Sequence, residues 1–588
     1  MQTRTNEETA PLVWDFSPLN QNDLEEVRMQ ISQFVAKWES RSDWLSEPKV
    51  LAEALFDYEH LMRHFGLSGD TGYFWSLRHH QEETNKEITA QTSKIEEFSR
   101  EMNNQMQFFD LRLSKVDQSS QDKFLTDSSL TVYRHYLERL FAQAKYLLSE
   151  KEEIIMTLKG GPAFSSWTRM TSSFLSSEER GGKNLPQLLS DFTSTSKKTR
   201  DRAAIYVNSI LERHVEVAEN EVNAILLNEK IDHRLRQIDR PDIPRLLADD
   251  IDPLVVDTMV QAVNKRFDLP ARFYKLKSEM LGVPKLAYHE RGVPFGKIST
   301  KYSYSQACGL VDKVLTNLDT DFGMIFRQFV DQGQIDVYPK QGKSGGAFCA
   351  CDRPTTPVYI LLNHADRLQD VLTLAHEVGH GINDTLMKSL SSALDYGSPL
   401  STAEVASTFM EDFVLQELMA QAKPSQKLTL IVQKLDDDMG TIFRQVAAYQ
   451  FERELHDRFR QAGYLDKKVI GQIFQKHMRA YMGDYVEQSP GSENYWVHWS
   501  HFRRFFYVYS YASGLLISKS LQYLVKNNRD FVSNIKKILS AGSSASPKQI
   551  FKTHANLDIT QADFWTKGLS EVELLLVQAE TLWKEVKA

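Results

Sequence analysis

The sequence predicts a mainly α-helical protein with one small β-sheet. Long segments such as residues 82–104 and 198–229 repeat apolar side chains at the three- and four-residue spacing of amphipathic helices. Segments with the composition of β-strands are short and are confined to residues 335–363. We find no internal repeat and no low-complexity tract in the 588 residues, which are enough for two or more domains or one large helical body.

Composition and charge argue against two classes of partner. The formal net charge of −8 provides no basic surface for nucleic acid. No apolar run approaches the roughly eighteen residues of a membrane span, so we expect neither nucleic acid nor membrane as a partner. The cysteines are few and odd in number (Cys308, Cys349 and Cys351), and residues 1–20 lack a signal-peptide pattern. We therefore expect a cytoplasmic protein.

The N-terminal part is predicted to be a helical region. Residues 1–20 form an irregular lead-in, and a mostly helical pattern follows over residues 23–159. We place a domain boundary just before the long amphipathic segment that starts near residue 198. The predicted domains are therefore residues 1–197 and residues 198–588.

Three strand-like segments precede the most informative helix: IDVYP, GAFCA and VYILLN. Glycine, proline or threonine clusters separate them, which predicts a small sheet. The turn at residues 343–346 lacks the glycine spacing of a phosphate-binding loop. The sheet edge could bind an extended peptide as an added strand, but VYILLN is equally well explained as a buried core strand.

The motif H-E-x-x-H follows at residues 376–380, inside a segment with helical periodicity. Four helical residues turn through about 40° beyond a full circle, so His376 and His380 leave one face and can bind one metal ion. Glu377 lies about 100° from His376, a position suited to holding a water molecule. We expect Gly379 to leave room beside the metal. A chance match is the alternative, with an expected frequency of roughly a few hundredths for this histidine content.

A third metal ligand is needed, because catalytic sites usually have three protein ligands and a water. Glu404 begins a second helical segment, and Glu411, seven residues later, shares its face. We interpret Glu404 as the ligand and Glu411 as a carboxylate that orients a histidine ring. Ser401 with Glu404 also matches a helix-capping box, so both interpretations stay open at this point. Asp384, four residues after His380, could also support a metal ligand, but an exposed helical aspartate is the preferred interpretation.

Residues 498–514 are unusually aromatic: HWSHFRRFFYVYSYASG. Such density is typical of core packing. Histidine and tyrosine are also the donors that stabilise an oxyanion during peptide hydrolysis, which is the alternative interpretation.

Taken together and in order, four segments resemble oligoendopeptidase F, a family related to thimet oligopeptidase and neurolysin. They are residues 376–380, residues 404–408, the strand region, and the H-F…F-Y-V-Y-S-Y-A-S-G run at 501–514. The resemblance covers about residues 200–585, and about residues 110–190 are compatible with the family's N-terminal region. It implies a neurolysin-like helical ellipsoid with a deep substrate channel and a small sheet beside the metal helix.

The resemblance also implies roles for individual residues. One Zn²⁺ per chain is held by His376, His380 and Glu404, and Glu377 is the general base that activates a zinc-bound water. His501 and Tyr509 contact the substrate carbonyl or the oxyanion. Weaker candidates for substrate binding are Gly346, Ala347, Tyr507 and His498.

The implied activity is zinc-dependent hydrolysis of internal bonds in short peptides, which are the expected partners. A zinc carboxypeptidase with the same motif is one alternative, and a peptide-binding protein without catalysis is another. Family members often carry tyrosine where this chain has Arg503, which affects the expected subsite preference. The sequence carries no signal for an oligomeric state.

Overall fold

The computed structural model describes residues 11–298 and 300–587. The described chain is mainly helical, as predicted, and it has two small sheets where the sequence predicted one. The first ten residues of the predicted lead-in lie outside the described chain, and residues 11–23 contain turns but no helix. Within the described residues, no helix has the length and apolar composition needed to cross a bilayer.

The α-helices of the described chain are, in order, α1 (Leu24–Trp38), α2 (Pro48–His64), α3 (Gly69–Gln81), α4 (Lys86–Leu113), α5 (Gln118–Thr126), α6 (Arg134–Ala144), α7 (Glu150–Gly160), α8 (Ser166–Ser176), α9 (Leu185–Ser190), α10 (Lys197–Leu235), α11 (Ile243–Ala248) and α12 (Pro253–Asn264). They continue with α13 (Asp268–Met280), α14 (Tyr304–Leu318), α15 (Thr320–Asp331), α16 (Leu368–Met387), α17 (Val405–Gln421), α18 (Pro424–Asp438), α19 (Arg444–Ala462), α20 (Lys467–Met482), α21 (Tyr509–Asn527), α22 (Val532–Ser540), α23 (Pro547–Ala555) and α24 (Ala562–Lys587). The strands are β1 (Glu179–Arg180), β2 (Lys183–Asn184), β3 (Ile335–Asp336), β4 (Phe348–Ala350) and β5 (Tyr359–Leu361).

These elements form two compact units, each built from three separate stretches of chain. The first contains the described residues up to 145, then 299–418 and 524–557. The second contains residues 146–298, 419–523 and the described residues from 558 onwards. The domain boundary predicted near residue 197 stays a prediction.

The predicted small sheet lies in the first unit. Its strand order is β3-β5-β4, with β3 parallel and β4 antiparallel to β5. Every residue of β5 is buried, so the core-strand interpretation of VYILLN is correct, and the edge strand next to α16 is β4. Trp14 from the lead-in donates its indole N–H to the carbonyl of Ile360 at 2.9 Å, which covers the sheet.

Helix α16 carries the H-E-x-x-H motif on a well-anchored element. The predicted apolar stripe is buried from Leu368 to Ile382, and this burial positions the opposite face. We expected Gly379 to leave room beside the metal, and this explanation was wrong. A Cβ there would lie 2.6 Å from Cα of Ser407 and 2.8 Å from the carbonyl oxygen of Ala406, so the missing side chain admits the backbone at the start of α17.

The second unit is organised along α10, a helix of 39 residues. The helix predicted at 198–229 is part of α10, which extends to Leu235. The aromatic stretch at 498–514 runs through a 3₁₀ turn at Ser500–Arg503 into α21.

Candidate active site

Helix α16 and the start of α17 bring three potential metal ligands together. Nε2 of His376 lies 3.3 Å from Oε2 of Glu404, and Nε2 of His380 lies 3.4 Å from the same oxygen. All three ligand atoms lie within 4.8 Å of one another. The two imidazole rings are 5.1 Å apart and nearly perpendicular, as two ligands on one helical turn should be.

These separations suit a tetrahedral zinc ion. Zinc–nitrogen and zinc–oxygen bonds of about 2.0–2.1 Å place tetrahedral ligand atoms about 3.3 Å apart. The two contacts between the histidines and Glu404 match that value. Two imidazoles and one carboxylate are also the donor set of many catalytic zinc sites.

The surroundings of Ser401 and Glu404 distinguish between the two interpretations of Glu404, a metal ligand and a member of a capping box. Oγ of Ser401 is buried and has no hydrogen-bond partner, so the capping-box interpretation is wrong. Glu404 instead accepts a hydrogen bond from Oγ of Ser407 at 2.9 Å on the oxygen that faces the histidines. Burial raises the pKa of Glu404, but hydrogen bonds from His376 and His380 outweigh it and lower the pKa well below its usual value.

Glu411 has the geometry of a carboxylate that orients a ligand. Its Oε2 lies 2.9 Å from Nδ1 of His376, so Nε2 is the ring nitrogen left for a metal. Burial lowers the pKa of His376, yet the hydrogen bonds to Glu404 and Glu411 outweigh burial and raise the pKa to about 10. A cation bound at Nε2 must therefore displace a proton, which makes metal binding depend on pH.

Glu377 lies beside the three ligands and is 8% exposed. Burial raises its pKa, and the charges of His376 and His380 only partly oppose this. A cavity of about 360 Å³ opens next to it, and Gly346 and Ala347 contribute to the lining together with His376 and Glu411. A carboxyl group of raised pKa at a cavity wall has the properties of a general base.

Asp384, one turn after His380, is half-buried, so the expectation of an exposed aspartate was wrong. Its Oδ2 lies 3.9 Å from Sγ of Cys349 on β4, and burial raises its pKa to about 6. The three cysteines form no disulfide in the described chain.

A second group of potential ligands lies in the second unit: Asp201, His289 and Glu290. Lys197 donates to both carboxylates, at 2.9 and 3.1 Å, and Arg200 donates to Glu290 at 2.9 Å. Because two cations already neutralise these carboxylates, this group does not suit a metal ion.

The aromatic stretch at 498–514 also lies in the second unit. Nε2 of His501 lies 3.1 Å from the hydroxyl of Tyr511, and the half-buried ring of Tyr507 lies 5.9 Å from that of His501. Burial is the largest cause of a lowered pKa for His501. The ring of Tyr507 also lies 5.5 Å from that of Tyr511, so the three rings form one group that contains the polar contact between His501 and Tyr511.

Tyr509 does not belong to this group. It is fully buried, and its hydroxyl donates to Oδ2 of Asp249 at 2.7 Å, so its predicted contact with substrate was wrong. Sequence reasoning missed Tyr511. Three tyrosines at alternating positions were visible, but the start of α21 at residue 509 decides which of them turns into the core.

Arg503 is held by hydrogen bonds, and His498 is held neutral by burial. Arg503 forms two hydrogen bonds with the carboxylate of Glu221, at 3.1 and 2.8 Å, and a third with the carbonyl of Trp496. The residue that departs from the family pattern therefore fixes the backbone before His501. Burial lowers the pKa of His498 to about 4, so its ring is neutral near pH 7.

The backbone between His501 and Tyr507 is strained. Phe505 and Phe506 have φ of 32° and 57°, which is rare for residues with bulky side chains. Oε1 of the buried Glu452 accepts the N–H of Phe506 at 2.9 Å and holds this turn in place. Strained backbone of this kind is concentrated at functional sites.

The sequence of this chain is similar to those of known peptidases. The profile of peptidase family M3 matches residues 320–571, and that of oligopeptidase F matches residues 112–177. An oligoendopeptidase F homologue of Borreliella burgdorferi is 24% identical over 579 residues, covering 94% of this chain and 97% of the relative. Oligopeptidase PepF of Bacillus subtilis is 24% identical over 491 residues, which is 81% of this chain and 72% of the relative.

Solved structures share the fold. A crystal structure from Chlamydophila abortus superposes with a TM-score of 0.87 at 21% identity, covering 99% of this chain and 100% of the other. Oligoendopeptidase-F from Enterococcus faecium gives a TM-score of 0.68 at 19% identity, covering 96% and 98%.

Proposed function

We propose, from the premise that this chain belongs to the oligoendopeptidase F family within peptidase family M3, that it is a zinc-dependent endopeptidase acting on short oligopeptides. An oligopeptide-cleaving metallopeptidase is the coarser statement that the family supports. Zinc as the metal, cleavage of internal bonds, and Glu377 as the base are the finer parts of the proposal.

One observation carries this proposal: three metal donors at tetrahedral separations beside a buried carboxyl group at a cavity wall. His376, His380 and Glu404 supply the donors, and Glu377 supplies the carboxyl group. A chance cluster of exposed acidic residues would have neither the separations nor a second carboxylate such as Glu411 on one ring.

The residues of the chain have separate tasks in hydrolysis. A bound Zn²⁺ supplies Lewis acidity, which makes water more acidic and polarises the scissile carbonyl. Glu377 accepts the proton of the attacking water and passes it to the leaving amine. Glu411 holds the ring of His376 in the tautomer and direction that its Nε2 needs.

The groups expected to hydrogen-bond the substrate carbonyl need one change from the sequence prediction. His501 keeps that role as a proposal, and Tyr511, which contacts it, takes the place of Tyr509. Gly346 and Ala347 border the cavity beside Glu377 and remain proposed peptide contacts. The cytoplasmic location also remains a proposal.

Replacing Glu377 with glutamine tests the proposed base. We expect the variant to bind one Zn²⁺ per chain with near-normal affinity and to lose nearly all cleavage of a quenched fluorogenic peptide. Glu417→Gln is the matched control, since its carboxylate pairs with Lys313 and takes no part in the proposed site. Near-normal turnover by the Glu377 variant would refute the base assignment.

Product mapping separates the proposal from its two alternatives. Internal cuts in a peptide blocked at both ends support the endopeptidase, whereas stepwise C-terminal loss from a peptide with a free C-terminus supports a carboxypeptidase. Zinc content near zero with unimpaired peptide binding would favour a non-catalytic binding protein.

A further inference from the structure

A second cavity, of about 450 Å³, lies wholly within the second unit. Its walls include His501, His498 and Trp499 from the aromatic stretch, Tyr288 and Arg291 from the preceding loop, and Arg444 from α19. The volume is within the range of small-ligand sites. Of the residues given a role in hydrolysis above, only His501 lines this cavity.

The lining is cationic. It contains two arginines and three histidines and no aspartate or glutamate. The third histidine, His289, is paired with Asp201, which does not line the cavity. Burial keeps His498 neutral near pH 7, so the positive charge comes from Arg291 and Arg444.

Of the two arginines, Arg444 is the one with fewer polar partners inside the protein. No carboxylate in the described chain forms an ion pair with it, and its Nε is buried without a hydrogen-bond partner. Its guanidinium lies 5.5 Å from the ring centre of Trp499, a distance that permits a cation–π contact but satisfies none of its five N–H donors. A half-buried arginine in this condition favours binding of an anion.

Arg291 is held in place by its neighbours. Its guanidinium stacks 3.9 Å from the ring centre of Tyr288, and one nitrogen donates to the carbonyl of Tyr288 at 2.6 Å. The buried Lys277 holds the carbonyl of Arg291 at 2.7 Å. Stacking leaves the remaining guanidinium donors in the plane that a carboxylate can approach.

The backbone before Arg444 is unusual. Residues Met439–Phe443 form a π-helical turn immediately before α19, and such turns often occur at functional sites. Gly440 belongs to this turn, and its hypothetical Cβ would lie 3.6 Å from a terminal nitrogen of Arg444. The guanidinium therefore lies beside the π-helical turn that precedes its own helix.

We propose that this cavity binds a carboxylate of the peptide substrate, with Arg444 as its main partner and Arg291 as the second. Aromatic walls on Tyr288, Tyr495 and Trp499 suit a carboxylate that is carried by an amino-acid residue better than a small inorganic anion. The carboxylate is either the C-terminus of the peptide or the side chain of Asp or Glu. The proposal rests on peptides being the substrates, as argued above.

Equilibrium binding tests the proposal without requiring catalysis. Calorimetry on the full chain in the presence of a chelator would compare three acetylated peptides: one with a free C-terminal carboxylate, its C-terminal amide, and the amide with an internal Glu replacing Gln. We expect one carboxylate peptide to bind at least about tenfold more tightly than the uncharged peptide, because charge-assisted bonds to arginine are strong. Arg444→Gln should remove this preference, and Arg444→Lys should restore part of it.

Arg479→Gln is the matched control, because Arg479 is exposed on α20 and the substitution removes the same charge from the same unit. It should keep the preference. Equal affinities in the wild-type chain, or a preference that survives in Arg444→Gln, would overturn the proposal. Cleavage is measured in a separate assay of the zinc-loaded chain without chelator. Cleavage of the three peptides with no carboxylate preference in calorimetry would overturn this site and leave the peptidase function standing, whereas a preference in calorimetry without cleavage by the zinc-loaded chain would support this site and contradict the peptidase function.

Discussion

Replacing Gly379 with alanine tests how closely the two ligand-bearing segments must pack. The added Cβ would lie 2.6 Å from Cα of Ser407, 2.8 Å from the carbonyl oxygen of Ala406 and 3.0 Å from the nitrogen of Ser407. All three atoms are backbone, so no side-chain rotation relieves the overlap. Carbon atoms in contact lie about 3.5 Å apart, so α16 and the start of α17 must separate by about 0.9 Å.

That displacement is several times what a metal site tolerates. Ligand distances in metal sites hold to about 0.2 Å, so the positions of His376 and His380 against Glu404 are disturbed. We expect zinc affinity to fall about 10- to 100-fold and kcat/KM about 100-fold. Stability should change less, because the helical preference of alanine, about 1 kcal/mol, offsets part of an overpacking cost of about 1–3 kcal/mol.

The assay is zinc competition against a chelating indicator, with urea unfolding of the metal-free chain measured in parallel. Gly381→Ala is the control, since its Cβ would meet side-chain atoms of Phe329 at 2.8 and 3.1 Å on the other side of α16. It should lose stability but keep zinc affinity. If Gly379→Ala binds zinc like the wild-type chain, or if both variants lose affinity equally, the packing argument is wrong.

Three further predictions concern single side chains. Glu411→Gln should weaken zinc binding by about tenfold, because the charge that orients His376 is lost. Burial raises the pKa of Glu452 to about 8, so between about pH 4.5 and 8 this carboxyl group is protonated in the folded chain and ionised in the unfolded chain. The free energy of unfolding of the wild-type chain should therefore fall as pH rises through this range, by up to about 1.4 kcal/mol per pH unit. Glu452→Gln should remove this contribution and make the fall less steep. Tyr511→Phe should lower kcat with little loss of stability, whereas Tyr509→Phe should cost about 1–3 kcal/mol of stability and leave kcat nearly unchanged.

Each prediction has an outcome that contradicts it. For Glu411, the contradicting result is an unchanged zinc constant in chelator competition. For Glu452, parallel plots of unfolding free energy against pH in the variant and wild-type chains would show that this carboxyl group does not titrate as argued. For the tyrosines, a loss of kcat in Tyr509→Phe at unchanged thermal stability would restore the original prediction for that residue.

The sequence predicts local features of this fold well. The period of the apolar stripe in α16 and the four-residue spacing of His376 and His380 depend only on helix geometry, so both are visible in the chain itself. The small sheet was predictable because its segments have strand composition and clear turn residues. The sequence does not determine which strand is central, because pairing order depends on contacts between distant segments.

Errors arose where a neighbouring segment decides the outcome. Gly379 looked like space for a metal, but the atoms that need the space belong to α17. Tyr509 and Tyr511 both lie in the first turn of α21, but Tyr509 is buried and Tyr511 is half-buried, a difference that depends on what packs against each face of the helix. Asp384 looked exposed on its own helix, yet β4 covers it.

The composition of the first unit bears on how the chain folds during synthesis. Its opening segment, which includes Trp14, has its partner strand β5 more than 340 residues later in the chain. During synthesis, β5 leaves the ribosome long after the first helices of this unit. Until then, part of the apolar surface of those helices stays exposed to solvent. A fragment starting at residue 198 would lack Trp14, which covers the sheet beside α16, and we expect it to aggregate before it could yield an isolated catalytic part.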